Sequence, residues 1–498
     1  MNKKRTLCIV LLVALHLFAS CGKAGADMSA DTTTQATSAT TTTAVEETTL
    51  PAETEIPAPE IEPIDGGNTE FRVMVRSLDN TFPISELSAD APTGEVMNDA
   101  VYERNCFIEE KYHVKLVSQA GTATEIRETM QQNIAAGDST YDLYMPSIRN
   151  AFILTLEGKL VNIDDIPHVN INNPWWQTQM LDNFSISNQN FFLVGDMNIS
   201  IFNAIGTIYL NQQVAEDNQI PNLYQTVRDG KWTIDLMHEY SLRVTHDLNG
   251  DNVLNGNDVY GFVTGNFAWQ TIFYGSGEGF VLKDNDDIPY LTWDTEKNIN
   301  VITKMTDLLN DENATLLSNQ SRFSGSNVKA SFMENRALFR CEYVYNLYEI
   351  RDMVTDFGML PAPKYDEAQE TYYSAMHTTH SSATCVPTTN NRMELTGAIL
   401  EDMAYQSYKI IRPAFYDITL TGKFARNEDT VEMLDIMYAN INTDLSLAMA
   451  TTGLTIDSTM RAIYTDDKSE FISAINAVKK ANELTIQMNV QKLLKRLK

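Results

Sequence analysis

FRVMV (Phe71–Val75), VMNDAVYERNCFIEEKY (Val96–Tyr112), VKLV (Val114–Val117), TATEIRETMQQNIAA (Thr122–Ala136) and YDLYM (Tyr141–Met145) follow one another along the chain, and their order decides the fold. The three short apolar runs read as buried strands. Between them, Val96, Ala100, Phe107 and Ile108 recur at helical spacing, with Pro92-Thr93-Gly94 ahead of them, and Gly137 stops the second helix. Strand, helix, strand, helix, strand predicts a parallel sheet with right-handed crossovers. Ligands of such sheets sit outside the carboxyl ends of the strands, where the loop Pro146-Ser147-Ile148-Arg149-Asn150 follows the third strand. No G-x-G-x-x-G follows the first strand, so a dinucleotide fingerprint is missing.

The pattern changes after Trp176. Strands are expected at Phe191–Val194, Gly206–Leu210, Ala337–Cys341 and Asp356–Leu360, and helices at Leu236–Val244 and Glu296–Leu309. Three long helical stretches follow, Glu394–Arg412, Asp429–Ile441 and Ser469–Leu497, and no internal repeat is visible. The chain of 498 residues is long enough for two domains. Its net charge of −29, from 66 acids against 37 bases, argues against nucleic acid or an anionic membrane surface as partner. The acids read mostly as solvated surface. Cys106, Cys341 and Cys385 are an odd set that builds no complete disulfide framework, and free thiols are expected.

The N-terminus reads as an export signal. Lys3, Lys4 and Arg5 precede an apolar run from Leu7 to Leu17 and the small pair Ala19-Ser20 before Cys21. Eleven residues of helix span about 16 Å, short of the ~30 Å hydrocarbon core of a bilayer. Leu17-Phe18-Ala19-Ser20-Cys21 resembles the bacterial lipobox, although Phe18 stands where Leu is usual. The resemblance implies removal of residues 1–20 and acylation of Cys21, which anchors stably because each buried methylene adds ~0.8 kcal/mol over two or more acyl chains. The alternative is an ordinary cleaved signal with an incidental cysteine. Residues 21–67 then form a tether: its Thr clusters, six glutamates from Glu46 to Glu62, and Pro51, Pro57, Pro59 and Pro63 cannot bury enough apolar surface to fold.

The sharpest local motif is DLNGDNVLNGND, Asp247–Asp258. Side-chain oxygens at Asp247, Asn249, Asp251, Asn255 and Asp258, with the Val253 carbonyl, have the spacing of an EF-hand calcium loop. Asn252 stands where Gly is usual and Asp258 where Glu is usual. One structural calcium ion is expected, against an Asx-rich turn that holds itself by hydrogen bonds. His377 and His380 could pair on a metal, but they have no nearby Cys or Glu partner in sequence, and His377 facing a cleft is the better reading. There is no G-x-S-x-G, H-E-x-x-H or Walker loop, and no carboxylate pair stands out as catalytic.

Scattered over most of the body are YDLYMPS…LEGKLVNID, NNPWWQTQM, GTIYLNQQVAEDNQIPNLYQTVRDGKWTIDLMHEYS, DLNGDNVLNGNDVYGF, ASFMENRALF, DFGMLPAPKYDEAQETYYS, VPTTN and IRPAFYDITLTGKFARNEDTVEMLDIM. In this order they resemble the extracellular solute-binding proteins of bacterial ABC importers, the large family that binds sugars and oligosaccharides. The resemblance implies an α/β fold of two lobes with a ligand cleft between them. It implies an N-terminal lobe of residues 68–193 plus about 337–386, and a C-terminal lobe of 194–336 plus about 387–498. Crossings are expected near Val194–Asn203, Ala337–Tyr345 and Pro387. It also implies binding without catalysis, a carbohydrate ligand, the permease of an ABC transporter as partner, a monomeric state and a place on the outer face of a Gram-positive-type membrane. Rival readings are a secreted glycan-active enzyme and a ligand sensor coupled to a membrane receptor.

Sugar rings offer apolar faces to aromatics and hydroxyls to amides, carboxylates and guanidinium groups. On that chemistry the aromatic candidates are Trp175, Trp176, Trp269, Tyr343, Tyr345 and Tyr373, and the resemblance implies as further ligand contacts Ser147, Arg149 and Asn150 after the third strand, Asn198 and Asn203 on the first crossing, and Glu342 beside Tyr343 and Tyr345 on the second, with His377 facing the cleft.

Overall fold

The computed structural model describes residues 56–62, 64–79, 82–265, 267–318, 327–421, 428–465 and 471–497. The leader, Cys21 and most of the tether lie outside the described residues.

The opening strand–helix alternation forms as its sequence predicts. Strands β1 (Thr69–Arg76), β2 (Val114–Gly121) and β3 (Leu143–Tyr144) make a parallel sheet in the order β2-β1-β3. The helix Val96–Tyr112 joins β1 to β2, and the helix Ala123–Ala136 joins β2 to β3. Local chemistry sets the ends. Asp99 accepts hydrogen bonds from the backbone of Thr93 (2.7 Å) and Gly94 (3.1 Å) ahead of the first helix. Thr122 and Glu125 cap the second helix reciprocally, and Gly137 closes it at φ +68°. The buried face of the first helix differs from expectation: Val96 and Phe107 are exposed, while Met97, Ala100, Val101, Arg104, Ile108 and Tyr112 pack inward. Arg104 takes the place of an apolar residue because its guanidinium is fully hydrogen-bonded inside, to Ser407, Asn105 and the Glu86 carbonyl.

A second, mixed sheet has the order β10-β4-β9-β5-β8, built from β4 (Gly206–Asn211), β5 (Tyr260–Thr264), β8 (Thr315–Leu317), β9 (Ala337–Tyr343) and β10 (Phe357–Leu360). A small hairpin, β6 (Val281–Lys283) and β7 (Pro289–Leu291), stands beside it. In this sheet β9, β5 and β8 run parallel, while β4 and β10 are antiparallel to their neighbours. All five strands are buried through most of their length, as strands covered on both faces must be.

The chain order of the lobes needs correction. Residues Ala337–Tyr343 were expected with the first lobe and as a crossing, but β9 hydrogen-bonds to β4 and β5 at the centre of the second sheet. The return to the first lobe comes later. Ile205 bridges to Met376, whereas Ser382, Thr384, Cys385 and Pro387 bridge to Ser147, Leu193, Tyr144 and Leu160 of the first lobe. The helix Met393–Gln406, its π-helical continuation Ser407–Ile411 and the helix Arg412–Thr421 then pack on the first helix, Val96–Tyr112, so they too belong to the first lobe and not the second. The helix Glu428–Ala439 packs on β10, and the last helix, Phe471–Leu494, touches both the β7 hairpin and the first-lobe helix Ile148–Leu156. Phe191–Val194 is not a strand: only Leu193 makes a bridge, to Thr384, before the chain turns at Gly195 into the first crossing. A side chain at Gly195 would meet the Trp175 carbonyl at 2.5 Å.

The outgoing and returning crossings are fastened to each other. Glu86, wholly buried in the first lobe, accepts hydrogen bonds from the hydroxyls of Ser200 (2.7 Å) on the way out and Ser382 on the way back. Asn198 donates to Ser382 and Thr384, both at 3.0 Å. Burial pushes the Glu86 carboxyl above its usual range, and the two serine hydroxyls pull it back down. Cys106, Cys341 and Cys385 are free thiols, the last two buried. Among the described residues, no helix is long and apolar enough to cross a membrane.

Glu86→Ala is expected to cost about 3 kcal/mol, read from the midpoint of urea unfolding, because two buried hydroxyls and the neighbouring Arg104 lose their anionic partner. Glu86→Gln, which keeps one acceptor oxygen in place, is expected to cost roughly 1 kcal/mol.

Candidate functional site

The carboxyl ends of strands from both sheets meet around one cluster of side chains. From the first lobe, β1 ends at Arg76, and the chain after β3 enters the helix Ile148–Leu156, capped by the Ser147 hydroxyl. That cap puts Arg149 in the first turn, where its Nε donates to Thr378 Oγ1 at 3.0 Å. From the second lobe, β9 ends at Tyr343, and the chain after β5 leads to Phe267 and the helix Ala268–Gly275.

Tyr343 stacks on Tyr345, with ring centres 5.5 Å apart and planes at 18°. The Tyr345 hydroxyl is 3.1 Å from His380 Nδ1, and His380 stacks on His377 at 4.0 Å. Phe267 meets the edge of His377 at 5.4 Å and carries the Arg461 guanidinium over its face at 4.2 Å. Tyr343 donates to Gln270 Oε1 at 3.2 Å, and Gln270 in turn donates to Asp457 at 3.2 Å. Asp457 is also ion-paired with Arg461 at 3.0 Å. Phe267, Arg149, Tyr345, His380 and Arg461 are half-buried, so the cluster has a buried floor and a solvent side. A small hollow opens beside it, between Gly265, Phe267, Glu342 and Tyr343.

Burial dominates the electrostatics. It lowers the pKa of Arg149 and of Arg76 from the ordinary guanidinium value. Burial, then the neighbouring His380 and the Arg149 and Arg461 guanidinium groups, hold His377 well below the ordinary imidazole value. Burial and the nearby Arg76 bring His380 down to about 4. Both imidazoles are therefore neutral near pH 7. Burial raises Glu342, with Arg340 opposing.

Of the sequence-based candidates, the structure gathers Arg149, Tyr343, Tyr345 and His377 here, with Glu342 beside them. The others stand elsewhere, each for a physical reason. Ser147 is the helix cap. Asn150 ties two helices, donating to the Ala123 carbonyl (2.7 Å) and accepting from Arg127 (3.3 Å). Trp175 and Trp176 are 2% and 3% exposed, and both indoles donate to Glu401, at 3.1 and 2.9 Å, so they are core residues and not a platform. Asn198 belongs to the fastening of the crossings. Asn203 is buried beside it in sequence, on the first crossing. Trp269 is fully buried between Tyr274 and Phe280. Tyr373 packs over Gly277, beyond the opposite end of the helix whose start follows Phe267. Residues not foreseen are Phe267, Gln270, Arg76, His380, Asp457 and Arg461. Phe267 lies two positions from the chosen Trp269, and helix phase alone separates the buried ring from the half-buried one. Arg461 comes from the C-terminal helix Ile456–Thr465, about which the sequence gives no motif.

The loop Asp247–Asp258 closes by side-chain hydrogen bonds. Asp247 accepts from the backbone of Asn249, Gly250 and Asn252, Asn249 accepts from Asp251, and Asp251 accepts from Val253. Asp258 accepts from Leu248 and Asn255, while Asn255 donates to the Val253 carbonyl at 2.9 Å. Asn252 takes the left-handed turn at φ +62°. The donor set and the turn fit a hard cation, and the loop also satisfies much of its own hydrogen bonding. Among the described residues, no group of three or more His, Cys, Asp or Glu side chains converges as a metal site.

The sugar-binding protein MalE from Xanthomonas citri superposes with a TM-score of 0.58 at 12% identity, covering 86% of this chain and 98% of that one. The fold is that of the two-lobed solute-binding proteins. A sugar transporter protein from Rhizobium etli in an open conformation gives 0.57 at 11% identity, over 84% of this chain and 99% of that one. The GacH receptor of Streptomyces glaucescens, solved unliganded and with acarbose, gives 0.53 at 11% identity with the same coverage. No protein-family model matches the sequence, and no curated protein resembles it significantly.

The lowered histidine values give a pH dependence with a definite sign. His380 titrates near 4 when folded, against 6.5 when exposed, so the unfolded chain binds the proton more readily. Stability is expected to fall as pH drops from about 6.5 to about 4, and His380→Gln is expected to flatten that part of a calorimetric Tm-against-pH curve.

Proposed function

We propose that the protein captures a carbohydrate outside the cell and delivers it to an ABC permease, with no bond made or broken. The observation that carries this reading is the stacked aromatic and polar cluster of Tyr343, Tyr345, Phe267, His377 and Arg149, placed where the carboxyl ends of both sheets meet. Half-buried rings supply a face for a sugar ring, while guanidinium, amide and imidazole groups answer its hydroxyls. A ligand that touches both lobes binds the closed arrangement better and so shifts the population toward it. Support also comes from the fold shared with MalE, described as sugar-binding, and with GacH, solved with acarbose. The monomer anchored through Cys21, with residues 21–67 as its tether, belongs to the same reading and places the body near its transporter on the outer face of the membrane.

Calorimetric titration of the body, residues 57–498, against mono- and oligosaccharides is expected to give saturable binding that Tyr345→Ala weakens at least about tenfold, the loss of one stacked aromatic contact. Release of cleaved product on incubation, abolished by changing one carboxylate, would turn the reading to an enzyme.

We infer further that Asp247, Asn249, Asp251, Val253, Asn255 and Asp258 would hold one calcium ion, which would neutralise the loop's carboxylates and stiffen the turn before β5. The expected outcome is a Tm several degrees lower in chelator than in calcium, since a bound ion adds roughly 3 kcal/mol at a hundredfold excess over Kd. An unchanged Tm, with no calcium retained after gel filtration, would show that the loop holds itself.

A further inference from the structure

We propose that the cleft is built for an acidic saccharide, with the guanidinium groups of Arg149 and Arg76 holding a carboxylate or sulfate on the sugar. This inference rests on the carbohydrate-binding reading above and narrows it.

Neither arginine has a carboxylate at ion-pair distance among the described residues. Arg149 donates Nε to Thr378 Oγ1. Arg76 donates to the Thr379 carbonyl at 3.3 Å and lies over the Phe82 ring at 4.0 Å, while its Nε is buried without a partner. The nearest acids acting on it are Asp79 and Glu86, the second already engaged by Ser200 and Ser382. The two cations bond consecutive residues of one loop, Thr378 through its hydroxyl and Thr379 through its carbonyl, and both act on the His380 ring. Between them lie the stacked rings of His377 and His380, and His377 Nε2 is a further buried polar atom with no partner.

Several other buried or half-buried arginines meet a carboxylate, while the fully buried Arg104 is held by neutral partners at Nε, Nη1 and Nη2. Arg412 pairs with Asp196 at 2.8 Å, Arg392 with Asp142, Arg340 with Glu349 at 3.2 Å, and Arg461 with Asp457. A partly desolvated cation without a counterion is costly, and the cost vanishes when an anion arrives. Guanidinium forks fit the planar carboxylate and the sulfate oxygens by paired hydrogen bonds. Asp457 acts on Arg149 and Asp79 and Glu86 act on Arg76 without forming an ion pair, and a neutral sugar would add no counterion at contact distance. The chain as a whole carries the opposite sign, net −29, so the attraction for an anion is local to the cleft.

The test is calorimetric titration of the 57–498 body with three probes: a trigalacturonate, a sulfated oligosaccharide and a neutral trisaccharide. The expected result is binding of at least one acidic probe about tenfold or more tighter than the neutral one, in line with a charge-assisted contact. Raising NaCl from about 50 mM to about 500 mM should weaken the acidic probe and leave the neutral one unchanged. Arg149→Gln should remove the preference, and Arg76→Gln provides the same reading should the first variant fail to fold. Preference for the uronate or for the sulfate identifies the source of the anion. Equal or tighter binding of the neutral probe, insensitive to salt and to both variants, overturns the inference and leaves carbohydrate capture standing. Absence of binding by all three, and by a wider glycan panel, overturns carbohydrate capture and this inference with it.

Discussion

A single buried carboxylate sets the terms on which the two lobes are joined. Glu86 has no solvent to stabilise its charge, and its oxygen Oε1 is shared by Ser200 and Ser382, one on each crossing. The crossings must therefore pass side by side at a fixed distance. Arg104 sits beneath, bound to the Glu86 carbonyl, and links the same point to Ser407 in the π-helical turn of the later helix. A buried polar network of this kind is expensive if any member is missing and rigid when all are present. Its position fixes the spacing of the two crossings where they pass Glu86.

Three guanidinium groups gather at the cluster of an otherwise acidic chain, with Glu342 and Asp457 beside them. Acids dominate the surface, yet the carboxyl ends of β1 and β3 present Arg76 and Arg149, and the helix at Ile456–Thr465 adds Arg461 with its own counterion, Asp457. Field from the surface falls off within about a screening length of 8–10 Å in physiological salt, so a half-buried cation is felt by a ligand only once it has entered.

The first lobe was largely legible in the sequence. Thr122, Gly137 and the alternation of short apolar runs with helical spacing are local signals, and most elements formed within a residue or two of where those signals place them, although β2 runs four residues past Val117 to Gly121. What could not be read is pairing at a distance. Nothing in Ala337–Tyr343 itself says whether it joins the sheet of β1 or that of β4, because a buried parallel-type strand is apolar in either. The site residues divide on the same principle. Arg149 and Tyr343 follow directly from strand ends and could be named, whereas Trp175, Trp176 and Trp269 were chosen for ring size, which marks a core residue as well as a ligand platform. A buried Glu401 accepting from two indoles is a pairing across more than two hundred residues, and no local pattern announces it.

All five tryptophans turn out to be interior: Trp175, Trp176, Trp232, Trp269 and Trp293 are each 3% exposed or less. The chromophores that face the cleft are Tyr343, Tyr345 and Phe267. Intrinsic tryptophan emission therefore reports whether the cores are intact and says little about occupancy. A bound ligand would register instead in the near-ultraviolet absorption of two stacked phenols. In optical terms the molecule keeps its brightest reporters away from the event they would be asked to follow.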